Sequence, residues 1–237
     1  EMRRVNSLPV SANEWFYNSS EKKLYLLVSL SPPPTCEDGT PYGKCSNSKP
    51  LYCKEGVLVN NCSYCGCPAG EICDITSEAC YPYQNTKTFG KTKIGSSDKS
   101  ASMNFMYGSK FTLPEEGLMT NVSVYAYFGA SYNKKYKALI YEDSAGSPGK
   151  LMGVSKEEIF NEGWQWYNFT FSPALHLTPG DYWLMVWSNV SWYILKYDAN
   201  GFHAWKNVTY NSPPDPFGTP DGTGNYNISI YATYIPV

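Results

Sequence analysis

The sequence predicts an all-β protein built around an antiparallel two-sheet sandwich that resembles a jelly roll, and two observations carry that prediction. Residues 83–237 contain short apolar segments separated by Gly, Pro, Asn and Asp, as in a sandwich domain with its own core. All eight cysteines lie within residues 36–80, which predicts a small disulfide-rich module ahead of that domain. The predicted regions are an N-terminal arm (1–35), a disulfide-rich module (36–82) and a β-sandwich domain (83–237).

The arm contains one apolar alternation, which predicts a strand. Leu24, Leu26, Val28 and Leu30 share one face of an extended chain. A short helix after Ser20 is the alternative, because part of this segment also fits a helical period. Prolines at positions 32–34 then predict a stiff polyproline II spacer.

The cysteines are the framework of the second region. An even number in a short stretch with little apolar content predicts four disulfides of roughly 2–4 kcal/mol each, with their connectivity left open. A metal site at Cys62-x2-Cys65-x-Cys67 is the alternative, but the other cysteines stand at intervals that suit crosslinks better. Disulfides indicate a protein outside the reducing cytosol. The predicted disulfide-bonded residues are Cys36, Cys45, Cys53, Cys62, Cys65, Cys67, Cys73 and Cys80.

Nine strands are predicted in the sandwich domain, with turns at 114–117, 144–149, 179–180 and 198–201. One helical turn fits at residues 156–160. The segment from Asn211 to Gly224 is rich in Pro and Gly and too long for a hairpin, so we expect a functional or a flexible surface loop. The predicted strands are 103–112, 118–128, 137–142, 151–155, 164–171, 181–188, 191–197, 202–209 and 226–235.

Seven Asn-x-Ser/Thr sequons predict N-glycosylation, where roughly three are expected by chance. Five of them have an apolar middle residue, and in a strand the Asn and the Ser/Thr then face solvent while the middle residue faces the core. Asn61 is the exception, because its middle residue is Cys62. The alternative is that these are polar strand faces without sugar. The predicted glycosylation sites are Asn18, Asn61, Asn121, Asn168, Asn189, Asn207 and Asn227.

Composition fits an exported surface protein. Charged residues make up only 17% of the chain, aromatic residues reach 16%, and the net charge is −2, so no electrostatic attraction to nucleic acid is expected. The sequence contains no run of 18 apolar residues, so no membrane span is predicted. The chain begins at Glu1 rather than Met, from which we expect that a signal peptide has been removed. We therefore expect an extracellular or cell-surface location.

No motif predicts catalysis. The two histidines, His176 and His203, lie far in sequence from any nucleophile or second metal ligand. Adjacent carboxylates at 115–116, 142–143 and 157–158 flank turns, where solvated charge is the ordinary explanation. No cofactor is expected beyond a structural calcium ion, for which Asp198, Asp215 and Asp221 are oxygen donors without diagnostic spacing.

Aromatic residues cluster in the second half of the sandwich domain. Exposed flat rings stack on sugars, but the alternation of these residues favours burial for most of them. Carbohydrate recognition is therefore the secondary interpretation. The cluster comprises Trp164, Trp166, Tyr182, Trp183, Trp187, Trp192, Tyr193 and Trp205.

The segments Cys36–Cys45, Lys49–Cys53 and Cys62–Gly70 resemble the cysteine-rich module of exported surface proteins of archaea. Segments 110–117, 138–143 and 147–151 are similar to extracellular sandwich modules that accompany carbohydrate-active and surface proteins, a likeness that implies a fold rather than a function. In archaeal filaments built by strand donation, an N-terminal strand completes the sheet of the neighbouring subunit. The arm resembles such a donor in position and alternation.

These observations lead us to expect a non-enzymatic, secreted glycoprotein that forms or decorates an extracellular, pilus-like filament. Leu24, Leu26, Val28 and Leu30 would enter the next copy's sandwich by strand addition, which repeats head to tail into an open homopolymer. The arm could instead pair along the edge of its own sandwich. The alternative function is a monomeric carbohydrate-binding module or adhesin whose partners are cell-surface or environmental glycans.

Overall fold

The computed structural model describes residues 3–4, 14–27, 34–128, 134–190 and 192–237, which are almost entirely strand and turn. The predicted all-β class is confirmed. Residue contacts divide the chain into two compact units, one of residues 1–46 and 52–59 and the other of residues 47–51 and 60–237. The domain boundaries expected from the sequence stay predictions. Within the described ranges, no helix is long and apolar enough to cross a membrane.

The first unit contains a small sheet and most of a hairpin. Its strands are β1 (Arg3–Arg4), β2 (Glu14–Asn18), β3 (Lys23–Leu27), β4 (Leu51–Lys54) and β5 (Val57–Asn60). β2 pairs with β1 in parallel and with β3 antiparallel, while β4 pairs with β5. A turn joins β2 to β3, and the Asn18 side-chain oxygen accepts hydrogen bonds from the N–H groups of Ser20 and Glu21 at 3.0 and 3.2 Å.

The strand predicted in the arm is confirmed for Leu24–Leu27, and the helical alternative is wrong there. Val28 and Leu30 lie outside the described residues. β3 pairs with β2. Pairing of the arm with its own sandwich, or with that of a neighbouring copy, stays a prediction.

All eight cysteines are disulfide-bonded, as predicted, so no thiol is available for the alternative metal site. Cys36 bonds to Cys53 in the first unit, and Cys45 and Cys65 are disulfide-bonded as well. In the second unit, two bridges hold helix α1 (Cys62–Cys65) and the segment that follows it against a hairpin of β6 (Glu71–Asp74) and β7 (Ala79–Pro82). These bridges are Cys62–Cys73 and Cys67–Cys80.

The sandwich follows a 3₁₀ turn at Tyr83–Asn85. Its strands are β8 (Lys87–Gly90), β9 (Ser97–Ser102), β10 (Phe105–Leu113), β11 (Gly117–Phe128), β12 (Tyr136–Ser144), β13 (Ser147–Val154), β14 (Gly163–Leu177), β15 (Gly180–Ser188), β16 (Trp192–Asn207), β17 (Gly222–Ile228) and β18 (Ile230–Pro236). One layer has the order β13-β12-β15-β10-β16-β17. The other pairs β14 with β11, and β11 in turn with β18 and the start of β16. A continuous apolar core lies between the layers.

Two strands pass from one layer to the other at the same place. The strand predicted at 226–235 is broken at Ser229, whose N–H donates to the Lys196 carbonyl (2.8 Å) and whose carbonyl accepts from Tyr125 N–H (2.9 Å). The strands predicted at 191–197 and 202–209 are one strand, β16. The turn predicted between them is instead a bulge, with Asn200 in the left-handed region at φ +69°.

The helical turn predicted at residues 156–160 is wrong. Glu158 exchanges both backbone hydrogen bonds with Tyr136, at 2.9 and 3.0 Å, and Lys156 N–H donates to the Thr170 carbonyl at 2.9 Å. These bonds attach the segment to β12 and β14. Its backbone groups are therefore used between the two layers and are not available to a helix.

The Pro-rich segment 208–222 packs over the outer face of the layer that contains β15. Phe217 is fully buried there and meets the Tyr141 ring edge-on at 5.0 Å. The Lys206 ammonium donates to the carbonyls of Phe217 and Thr219 at 2.6 and 3.0 Å. The expected functional or flexible loop is thus a structural cover over Trp183 and Trp187.

The β6–β7 hairpin covers one end of the opposite layer. Ile72 and Tyr81 pack against a small cluster that includes Leu118 and Ile235. His176, at the end of β14, has its Nδ1 3.2 Å from the Asp74 carboxylate and its Nε2 2.6 Å from that of Glu116.

The carboxyl of Asp74 is buried, and its own loop keeps it ionised. Burial acts to raise its pKa. Hydrogen bonds from the Ser77 hydroxyl and the Thr76 N–H, together with the His176 imidazole, outweigh that effect and lower the pKa. The cluster of Asp74 and His176 fastens the disulfide-bonded hairpin to the sandwich.

His203 is a buried histidine between two tyrosine rings. Its ring stacks on Tyr226 at 4.1 Å and on Tyr107 at 5.7 Å, it is 1% exposed, and neither nitrogen has a well-formed hydrogen bond. Burial lowers the pKa of His203 to about 4, an effect that the backbone at Gly108 offsets only in part.

We predict that His203 makes the fold sensitive to acid. Between pH 6.5, its ordinary pKa, and pH 4, the unfolded chain binds a proton that the folded chain does not. The free energy of unfolding should therefore fall by about 3 kcal/mol through this group as the pH drops across that interval. Urea denaturation at pH 7 and pH 4 should show a smaller loss for His203→Phe. Tyr226→Phe keeps the histidine and an aromatic ring stacked on it. Between pH 7 and pH 4 this variant should therefore lose as much stability as the unmodified protein. Equal losses in all three proteins would contradict the assignment.

We predict that Phe217 holds the cover in place. Phe217→Ala should lower the free energy of unfolding by about 3–5 kcal/mol, because it leaves a cavity over Trp183 and Trp187. Chemical denaturation gives the stability change, and a red shift in tryptophan emission reports the uncovered rings. Phe202 is 60% exposed, and Phe202→Ala should cost less than about 1 kcal/mol. A Phe217→Ala protein as stable as this control would show that the segment is not a cover.

Candidate functional site

The aromatic residues singled out in the sequence divide into two groups. Tyr182, Trp183, Trp187 and Tyr193 are buried, as predicted. Trp164 and Trp192 are instead 40% and 47% exposed, and Trp166 and Trp205 are half-buried. The expectation of burial therefore fails for half of the set.

The exposed rings lie on the outer face of β14, β11 and their neighbours. Antiparallel pairing sets Trp164 opposite Tyr127 and Trp166 opposite Tyr125. Because alternate residues of a strand share a face, all four rings point away from the core, while Tyr167 and Phe169 point into it. Trp192 on β16 and Tyr231 on β18 extend the same face. We call this set the aromatic face: Tyr125, Tyr127, Trp164, Trp166, Trp192 and Tyr231.

The rings form one contiguous surface. Centroid distances are 5.8 Å from Tyr125 to Trp164 and 5.5 Å from Tyr125 to Trp166. Tyr127 lies 5.7 Å from both Trp164 and Trp192, and Tyr231 lies 4.9 Å from Trp166. The rings therefore support one another laterally and leave part of their surface to solvent.

Polar groups border the aromatic face on two sides. Along the same strands, Asn168 lies opposite Ser123 and Thr170 opposite Asn121, and the Ser123 hydroxyl donates to the Asn168 side-chain oxygen at 2.5 Å. On another side, the Lys196 ammonium lies 4.9 Å from the Trp164 ring and 2.6 Å from the Asp98 carboxylate. The rim thus offers amides, hydroxyls and a paired charge.

Tyr127 is anchored at the edge of the face. Its hydroxyl donates to the Glu162 carboxylate, and this hydrogen bond raises the pKa of Tyr127. The ring therefore stays neutral and fixed in orientation at physiological pH. A ring that is already held in place loses less conformational entropy when a ligand binds than a mobile ring does.

Two other apolar areas on the outside of the sandwich are covered by the chain itself. Segment 208–222 covers Trp183 and Trp187, and the β6–β7 hairpin covers the cluster at Leu118. On the aromatic face, Trp164 and Trp192 are exposed and the other four rings are half-buried. This contrast singles out the aromatic face as the candidate site.

The sequons fall mostly where the strand alternation predicts. Their middle residues Val122, Phe169, Val190 and Ile228 are buried, while Val208 is only half-buried beneath the cover. The hydroxyl-bearing residues depart from the pattern at two sites, since Ser123 and Ser229 are each 1% exposed. Glycosylation itself stays a prediction at all seven positions.

Several sequon asparagines also shape the local backbone. The side-chain oxygens of Asn61, Asn189 and Asn227 accept from the N–H groups of Tyr64, Lys135 and Phe202, respectively. An attached glycan occupies the amide nitrogen and leaves that oxygen free to accept. Asn168 and Asn207 are exposed.

Each of the three aspartates considered for calcium binds groups of the protein itself. Asp198 binds the Lys91 ammonium at 2.5 Å, which together with Ser96 lowers its pKa to about 2, beside an open cleft of about 340 Å³. Asp215 accepts from Leu151 N–H and Asp221 from Asn207 N–H. The structure does not bring them together as a ligand cluster among the residues it describes.

The paired carboxylates and histidines are likewise engaged. Glu115 binds Lys87 at 2.6 Å and Glu157 binds Lys135 at 2.8 Å, while Asp143 accepts from the Trp183 indole N–H at 2.8 Å. His176 joins two carboxylates and His203 is enclosed by tyrosines. The bond between His176 and Asp74 could not be found from the sequence, because no motif relates residues a hundred positions apart.

The residues proposed for strand donation are described only in part. Leu24 on β3 is 64% exposed. Leu26 is placed in the same strand by its backbone, and the other two lie outside the described residues.

The fold and this surface define a disulfide-bonded, all-β sandwich protein with one open aromatic sheet face. Compared with known proteins, the chain matches no family model, and no curated protein is significantly similar to it in sequence.

Proposed function

We propose that the protein is a non-enzymatic extracellular module that binds saccharides on the aromatic face. The observation that carries this proposal is the contiguous, solvent-facing surface of Trp164, Trp166, Trp192 and their tyrosine neighbours. The four disulfides indicate an extracellular setting, where polymeric saccharides are abundant.

The chemistry of the face suits an uncharged saccharide. Sugar rings have apolar C–H faces that pack on aromatic rings, and equatorial hydroxyls that need hydrogen-bond partners. The face supplies the rings at its centre and a polar border that includes the amide of Asn121. Lys196 and Asp98 neutralise each other, so no unpaired charge at that side favours an ionic ligand.

The flatness of the surface favours an extended polymer over a small molecule. The rings lie on adjacent strands of a sheet rather than in a concave pocket, and small ligands need enclosure for affinity. An extended chain can instead contact several rings at once. Weak contacts at each ring then add up along the polymer.

Removing single rings should weaken binding without unfolding the protein. Trp164→Ala and Trp192→Ala each remove an exposed ring and should raise the Kd for a soluble polysaccharide about fivefold to tenfold, or about 1–1.4 kcal/mol. Affinity electrophoresis against a panel of neutral polysaccharides, such as mannans and β-glucans, measures this change. The matched control is Phe202→Ala, an exposed ring outside the face, which should leave the Kd within about twofold. Unchanged binding in both tryptophan variants, with normal circular dichroism, would refute the proposal.

A filament subunit that works by strand addition is the second candidate. The observations that favour it are the position of β3 at the edge of its three-stranded sheet and the exposure of Leu24. A strand with one hydrogen-bonding edge free is a template for another chain. For β3 to complete a neighbour's sandwich, it would have to add at its edge opposite β2 or separate from β2.

Deleting residues 1–31 separates the two candidates. If the arm drives assembly, electron microscopy should show fibres of the secreted protein that disappear on deletion, while the exposed rings still bind polysaccharide. A protein that stays monomeric at high concentration with its arm intact would rule out assembly by strand addition under those conditions.

A further inference from the structure

We propose that N-glycosylation of Asn168 closes the aromatic face, because the attached saccharide lies on the adjacent rings of the same molecule. The inference rests on the proposed function, since it names a regulator of the same surface. It assigns one sequon a role that the other six do not share.

Asn168 lies beside the rings on the same strand face. It is exposed and two residues from Trp166 on β14, a separation of about 7 Å along a strand. Tyr125, opposite Trp166, is its diagonal neighbour across the strand pair. A saccharide of a few rings attached at this point spans the distance to Trp166 and Tyr125.

The neighbouring groups prepare this asparagine for modification. Its side-chain oxygen accepts from the Ser123 hydroxyl at 2.5 Å, which fixes the amide plane and turns Nδ2 away from Ser123. Thr170, the third residue of the sequon, is exposed. The sequon at Asn121 shares this face, but its Ser123 is 1% exposed and lies directly opposite Asn168. Asn121 lies opposite Thr170 and is the diagonal neighbour of Asn168, so glycans on both asparagines would crowd each other at a separation of about 7–8 Å.

The modification is a group transfer from a lipid diphosphate-linked oligosaccharide. The sugar C1–O bond to the diphosphate breaks and a C1–Nδ2 bond to Asn168 forms. The diphosphate leaves with the electron pair, and the amide proton goes to a base of the transferase. The co-reactant is therefore a polyprenyl diphosphate saccharide supplied by the secretory membrane.

Tethering makes the attached saccharide an effective competitor. A ligand on a short flexible link has an effective concentration of about 1 mM at a neighbouring site. If a soluble saccharide binds the open face with a Kd of about 0.1 mM, a similar tethered one weakens its apparent binding about tenfold. Weak binding to separate rings is the regime in which this competition matters most.

The test uses the full chain secreted from a eukaryotic host that attaches oligomannose glycans. Asn168→Gln and Thr170→Ala remove the same sequon in two chemically different ways. Asn207→Gln removes an exposed sequon on another strand and is the matched control. Peptide mass spectrometry measures occupancy, acrylamide quenching measures the solvent accessibility of the tryptophans, and affinity electrophoresis with mannan measures binding.

The expected result is an occupied Asn168 in the unmodified protein. Asn168→Gln and Thr170→Ala should both increase acrylamide quenching and bind mannan about tenfold more tightly, while Asn207→Gln behaves as the unmodified protein. An unoccupied Asn168, or quenching unchanged by both variants, overturns the inference.

Failure of the proposed function gives a different pattern. If no protein binds any saccharide, but loss of the Asn168 sequon still increases quenching, then the glycan covers the rings and the binding proposal is wrong. The opposite pattern is also possible. If the enzymatically deglycosylated protein binds saccharide, the binding proposal stands. If the variants that lack the Asn168 sequon then match the glycosylated protein in both quenching and binding, the proposal that this glycan closes the aromatic face is wrong.

Discussion

The antiparallel pairing of β11 with β14 determines both the core and the candidate site. One face of this pair contributes Val122, Val124 and Phe169 to the interior, and the other carries the exposed rings. The side-chain period of a strand is two, so a slip of one residue would place the tryptophans in the core and the valines in water. The burial of the inner face therefore fixes the positions of the outer rings.

An extra residue in β11 sets the phase of that alternation. Against β18, Met119 and Asn121 lie opposite the consecutive residues Tyr234 and Thr233, so Thr120 is an extra residue in β11, and its hydroxyl donates to the Thr233 carbonyl at 3.2 Å. Met119 faces the core before the bulge and Val122 after it. Without the extra residue, Asn121 would face the core, and its amide would be buried without hydrogen-bond partners. The polar border of the aromatic face thus depends on one inserted threonine.

The sequence predicts those parts of this architecture that depend on local patterns. The strands at β10, β11, β12, β14 and β15 were predictable because their alternation and their turns agree, and the cysteine cluster predicted its disulfides. β8 and β9 were missed because segments such as Ser97–Ser102 are polar and gain their pairing from neighbours. The break at Ser229 was missed for the opposite reason, since the alternation continues through a residue at which the chain changes layers.

Which aromatic residues are exposed could not be predicted from periodicity. Trp183 and Trp164 both lie on outward faces of their sheets, and only the first has a cover. That cover comes from segment 208–222, whose composition is typical of a surface loop. Its role depends on Phe217 and on Lys206, which binds two of its carbonyls. Long-range packing, rather than any property of the tryptophans, decides between core and site.

An uncovered aromatic surface has a physical consequence for any protein in water. Contiguous exposed apolar area promotes association between copies unless a ligand or a bulky polar group shields it. Here the proposed glycosylation site and two of the rings share one strand, because Asn168 and Thr170 follow Trp164 and Trp166 at the same period of two. Under the proposal, a glycan on Asn168 would cover the rings, and a bound polysaccharide would replace it on the same contacts. The two proposed roles would therefore use one surface, and the balance between them would be set by competition between a tethered saccharide and a free one.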